Sequence, residues 1–134
     1  MGRRYSYRRL GSEMIEVSGF SSQFVDGRGT ISNVLTKPVN IALIWSRDGA
    51  IRGNHVHKEE SHYELVIQGA IEVARLNPNG GVERRVVQPC EMVFTPPGVA
   101  HGFRSIGKSL ILHIVMVPLE GDFYERDTSK VALL

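Results

Sequence analysis

Three histidines, His55, His57 and His62, fall within eight positions of one another, and His101 follows closely on the turn-forming run Pro96-Pro97-Gly98. Imidazole is the commonest metal ligand and the side chain whose proton affinity lies nearest neutral pH, so this set suits a metal centre or acid–base chemistry. Alternate residues of a strand share a face, which puts His55 and His57 on one side. Lys58-Glu59-Glu60-Ser61 has the length and polarity of a hairpin turn, so His62 is expected roughly opposite His57 on a returning strand. The three imidazoles His55, His57 and His62 then converge on one spot, as candidate ligands of a divalent transition metal, with each nitrogen about 2.0–2.1 Å from a zinc. Neutral ligands leave the full charge on the ion, which acidifies a bound water and favours an enolate or carboxylate ligand. Magnesium and calcium, which prefer oxygen, are disfavoured. The plainer alternative is that some of these histidines only line a polar cavity, with His62 a surface turn residue and Glu59, Glu60 and Glu64 out of register.

Around this set lie further groups with chemistry. His113 sits inside Leu-Ile-Leu-His-Ile-Val-Met, on the same strand face as Ile111 and Val115; it is either a general base beside the metal or a hydrogen-bonded core residue. Arg52 and Tyr63 flank the histidines and are suited to a phosphate or hydroxyl, or to the rim of the site. Arg104 is a second substrate-binding candidate. Cys90, the only cysteine, sits at a turn with no histidine near it in sequence and reads as a small buried residue rather than a nucleophile.

The elements that must position these groups read as strands. Asn40–Ser46 is a near-continuous apolar run and predicts a buried strand. Short strands are expected at Met14–Val17, Ile31–Leu35, His62–Gln68, Ile71–Leu76, Val82–Val87, Glu91–Thr95, Phe103–Ile106 and Ser109–Val117. Asp26-Gly27-Arg28-Gly29, Asp48-Gly49 and Asn77-Pro78-Asn79-Gly80-Gly81 mark turns. No helix is expected, and the tail after Pro118 reads as a loop over the barrel mouth. Many short strands between glycine and proline turns argue for an antiparallel all-β sandwich or small barrel.

At 134 residues the chain is expected to be one domain, residues 1–134, with a basic arm over 1–12 and a tail over 118–134. The 42% hydrophobic and 22% charged content excludes a disordered chain. A net charge of +2 points to no nucleic-acid partner, and the arm with Arg3, Arg4, Arg8 and Arg9 reads as a solvated tail. One cysteine excludes an internal disulfide and fits a cytoplasmic protein. The longest apolar run, Leu110–Leu119, contains His113 and Pro118 and is too short to cross a bilayer, so no membrane association is expected.

The two histidine stretches resemble the paired motifs of the cupin superfamily. The first motif is glycine, five residues, His-x-His, three or four residues, glutamate, six residues, glycine. Gly49, His55, His57 and Gly69 fall in register with it, and His62 takes the glutamate position. In the second motif Pro96, Gly98 and His101 match, while Cys90 replaces a glycine and Ser105 an asparagine. The resemblance implies a jelly-roll barrel (a double-stranded β-helix) and one divalent transition metal ion (zinc, iron, nickel, copper or manganese) held by His55, His57, His62 and His101. Arg52-Gly53-Asn54-His55-Val56-His57 is further similar to small cupins that act on nucleotide-linked keto-sugars, and Gly121–Asp127 loosely resembles their C-terminal segment. That likeness implies an isomerase or epimerase that abstracts a proton next to a carbonyl. In those ketoisomerases the His-x-His pair does acid–base work without metal; with the ligands filled, the base would be His113, Tyr63 or Tyr124. An iron-dependent dioxygenase-type cupin is the alternative, and a non-catalytic small-molecule-binding cupin the third reading. The family resemblance also implies a homodimer.

Overall fold

The run Asn40–Ser46 is a strand whose buried residues alternate, with Asn40, Ala42, Ile44 and Ser46 facing inward. It belongs to an antiparallel sheet of nine strands curled on itself as a jelly-roll barrel. The computed structural model describes residues 18–134 and, before them, the backbone of two short strands, β1 (Arg8–Arg9) and β2 (Glu16–Val17), which pair antiparallel. The rest of the basic arm and of the strand expected at Met14–Val17 lies outside the described residues. The sheet comprises β3 (Ser22–Asp26), β4 (Gly29–Leu35), β5 (Asn40–Ser46), β6 (Ile51–His57), β7 (His62–Leu76), β8 (Val82–Val87), β9 (Met92–Thr95), β10 (His101–Val115) and β11 (Thr128–Lys130). A single helical turn, α1 (Phe123–Asp127), precedes β11, so the tail expected as a loop supplies both a helix and an edge strand.

Two long strands carry the architecture. β7 and β10 pair antiparallel from His62↔Val115 to His101↔Arg75. The first half of β7 bonds β9 and the second half β8. On its other side β10 bonds β6 with its first residues and β5 with its last. Two sheets, β3-β4-β5-β10-β7-β9 and β11-β6-β10-β7-β8, therefore share the same two rails. The segments expected as four separate strands run through as two, with the ladder shifting register between Ile106 and Ile111. At that bend Gly69 has φ +78°, and a Cβ there would run into the Lys108 carbonyl oxygen. Between the sheets lies a core of Ile44, Val66, Ile71, Val73, Val87, Phe103 and Ile111. Burying each such side chain stabilises the fold by about 1.5–3 kcal/mol.

β6 and β7 do not form the expected hairpin. β6 pairs β10 and β11, not β7. The intervening residues are pinned instead by Asp127: its carboxylate accepts hydrogen bonds from the backbone of Glu59 at 2.8 Å and Glu60 at 3.0 Å, and its carbonyl from Lys58 at 3.0 Å. Cys90 is exposed rather than buried, because it sits in the surface turn between β8 and β9, where its φ is +69°.

Gly53 sets how closely β6 approaches β10. It has φ +82°, and a Cβ there would lie 2.9 Å from the Cα of Gly102. Gly53→Ala is expected to lower stability by about 2–3 kcal/mol, since both the strained φ and a backbone clash must be relieved. Urea unfolding of the variant checks this, and an unchanged midpoint would contradict it.

Candidate metal and acid–base centre

The β6–β10 register places His55 directly opposite His101, and His57 stands two residues further along β6 on the same face. The imidazole rings of His55 lie 4.3 Å from His57 and 4.8 Å from His101 between centroids, and those of His57 and His101 lie 5.4 Å apart. One ligand atom from each of the three falls within 4.8 Å of the others. His101 is oriented for a cation: its Nδ1 donates to the Val99 carbonyl at 2.9 Å, which leaves Nε2 with its lone pair, buried and without a hydrogen-bond partner. A backbone carbonyl that fixes the tautomer in this way is the usual support of a metal-bound histidine. The donor set and the orphaned nitrogen fit a divalent transition ion.

His62 stands beside this trio, its ring 4.8 Å from His101 and 5.8 Å from His57. Its nitrogens face two buried glutamates: Nδ1 lies 3.1 Å from Glu60 Oε2, and Nε2 lies 3.3 Å from Glu64 Oε1. Glu60 Oε2 is also 3.0 Å from His57 Nε2. A carboxylate accepts, so His57 Nε2 carries the proton and Nδ1 accepts from the Thr128 hydroxyl at 3.0 Å. A metal at His57 Nε2 would displace that proton. His113 sits opposite Glu64 across β7 and β10, with Nδ1 3.7 Å from Glu64 Oε1.

All five histidines and two glutamates thus line one wall of a cavity of about 510 Å³. Arg52 lines it too, buried, with Nε donating to Ser46 Oγ at 2.9 Å and Nη2 to the Trp45 carbonyl at 3.3 Å. Tyr124 stands at the mouth, its hydroxyl 3.5 Å from His55 Nδ1. Two of the expected groups are elsewhere. Tyr63 follows His62 in β7, so it faces the other side of the sheet and packs on Phe94 at 4.8 Å between rings. Arg104 lies on the outer surface, 3.8 Å from Glu72. Sequence reading set Glu60 and Glu64 aside as out of register, although period two from His62 puts Glu64 on the same face; Asp127 carried no such signal.

Burial sets the charge states. It holds His55 down to about 3, reinforced by His101 and His57, and His101 and His113 down to about 4. It lowers His57 as well. Burial opposes charge on His62, but Glu60 and Glu64 together outweigh it and push His62 up to about 9. Burial likewise opposes charge on Glu64, and the positive His62, its Nε2 3.3 Å away, overrides it and holds Glu64 at about 2.

The sign of the resulting pH dependence follows. Below 6.5 the unfolded chain protonates His101 and His113 while the fold does not until about 4, so metal-free stability falls with acidification across that window. The slope is about 1.4 kcal/mol per pH unit for each histidine. The contribution of His62 is complete below 6.5 and is lost as pH rises through about 9. The melting temperature of the metal-free protein is therefore expected to peak at about pH 6–7. A melting series from acid to alkaline pH checks this; a monotonic profile would contradict it.

A family model described as Cupin matches residues 28–125. Among solved structures, the capsular polysaccharide assembling protein CapF from Staphylococcus aureus is similar over 83% of this chain and 34% of its own, at 21% identity and TM-score 0.75. Oxalate decarboxylase from Bacillus subtilis is similar over 81% of this chain and 29% of its own, at 20% identity and TM-score 0.66. The chain thus spans about a third of the length of these proteins. No curated protein sequence matches it. Among the described residues, no helix is long and apolar enough to cross a membrane.

Proposed function

The chain belongs to the cupin family, and from that premise we propose that it is an isomerase or epimerase moving a proton next to the carbonyl of a nucleotide-linked keto-sugar. The observation that carries this reading is the meeting, in one cavity, of the histidine wall with a buried arginine. Arg52 is held by Ser46 and Trp45 and, among the described residues, forms no ion pair with a carboxylate, so its charge is available to a substrate phosphate or to an oxygen that becomes negative as the proton leaves. Likeness to a capsular polysaccharide assembling protein supports a sugar as substrate.

A divalent ion held by His55, His57 and His101 would polarise the substrate carbonyl. Proton transfer then falls to the groups that are not ligands and reach the cavity, Tyr124 at the mouth and His113 on the wall. Tyr63, behind the sheet, is left out of this role. The Glu60 carboxylate, 3.0 Å from His57 Nε2, neutralises positive charge that gathers on this wall.

Incubation with a panel of nucleotide-linked keto-sugars in deuterated water is expected to place deuterium on the carbon next to the carbonyl. Absence of exchange with every member, in protein shown to bind them, would overturn the reading. The three-histidine group facing open cavity space favours a second reading, an iron-dependent oxygenase, which oxygen consumption by the iron-loaded protein tests.

A further inference from the structure

The wall divides into two groups along the rails. β6 and β10 bring together His55, His57 and His101; β7 and β10 bring together His62, Glu64 and His113. The geometry points to a second cation site at His62, Glu64 and His113, holding its own divalent transition ion beside the first; with that ion bound His113 is a ligand, and proton transfer is left to Tyr124.

The register builds it. His62 and Glu64 are two apart in β7 and share the inward face, and His113 is the cross-strand partner of Glu64. One ligand atom from each lies within 4.8 Å of the others. Both His62 and Glu64 are more than nine-tenths buried, at 1% and 8% relative exposure. Hydrogen-bond accounting leaves the centre of this group unsatisfied. His62 Nδ1 is turned to Glu60, so Nε2 is aimed at Glu64, and both Nε2 of His62 and Nδ1 of His113 are buried without a hydrogen-bond partner. An ion there would displace the Nε2 proton of His62, and three lone-pair atoms would then face one centre.

The spacing suits an ion. His62 Nε2 and His113 Nδ1 stand 3.3 and 3.7 Å from Glu64 Oε1. Ligands on arms of 2.0–2.1 Å in a tetrahedral zinc site are separated by about 3.3 Å. Two imidazoles with one carboxylate form a set that zinc and ferrous iron accept. The carboxylate also distinguishes this group from the neutral trio beside it, because it offsets part of the ion's charge in a buried place. Glu60 accepts from Nδ1 of His62, the nitrogen turned away from the site, and so supports it as a ligand.

Zinc stoichiometry tests this. The wild-type protein, stripped and titrated with Zn²⁺, is expected to retain two equivalents per chain after desalting. Glu64→Gln and His113→Gln are each expected to retain one, as is His101→Ala, and Glu64→Gln combined with His101→Ala none. Circular dichroism and melting of each variant identify any that fails to fold; two single variants probe the new site, so one folded protein suffices. Co²⁺ spectra of His101→Ala report its ligand field directly, and the remaining band is expected to disappear on adding Glu64→Gln. A single wild-type equivalent that Glu64→Gln and His113→Gln abolish and His101→Ala spares would support this site and remove the trio from the proposed function. A single equivalent that survives Glu64→Gln and His113→Gln, or that His101→Ala also abolishes, would overturn the second site.

Discussion

Replacing His101 with alanine is expected to remove the ion from the His55–His57–His101 group and to lower turnover by roughly three orders of magnitude. Changing a group that merely supports a metal ligand costs about 10–100-fold in affinity or activity, and deleting a ligand costs more. His101 is the member of the trio whose protonation the structure fixes most firmly, since Val99 takes the Nδ1 proton and Nε2 faces inward without a partner. Backbone pairing of β10 with β6 and β7 does not depend on the side chain, so the barrel is expected to persist. The same substitution removes one of the buried histidines that resist protonation, so the acid limb of the stability profile should become shallower. Elemental analysis, turnover and melting at two pH values separate these effects. Unchanged metal content at the first site would exclude His101 as a ligand.

Asp127→Ala is expected to lower stability by about 3 kcal/mol and metal affinity by at least about tenfold. The Asp127 carboxylate is buried and accepts from the amides of both Glu59 and Glu60. Truncation leaves two donors without partners, each costing about 1–3 kcal/mol if water does not reach it. It also releases the loop that aims Glu60 at His57 and His62. Asp127→Asn, whose amide keeps one accepting oxygen, should fall between the two. Urea unfolding with zinc titration of both variants checks this, and a wild-type midpoint for Asp127→Ala would remove the residue from this role.

Much of the barrel could be read along the chain, because the signals are local. Asn40–Ser46 and Val82–Val87 are strands over the residues that their patterns indicate, and Asn77–Gly81 closes the turn between β7 and β8. The family resemblance extends to the fold, and the register of β6 against β10 gathers His55, His57 and His101. What escaped was long-range. The polar run after His57 has hairpin composition, yet Asp127, some seventy positions away, decides its path. Glu60 and Glu64 acquire their place only from the side of the sheet that becomes the interior, which depends on β10 lying beside β7. Tyr63 and Arg104 fall outside for the complementary reason: neighbours of inward residues in a strand point outward.

The continuity of β7 and β10 through both sheets has a mechanical corollary. The halves of the barrel cannot part like a clam without rupturing ladder bonds along two strands, so the girth of the chamber is set by covalent backbone. Admission and size discrimination must then rest with the doorway, where Phe24, Arg28 and Tyr124 stand. Altering what this protein accepts is a matter of recutting that rim, not of softening its interior.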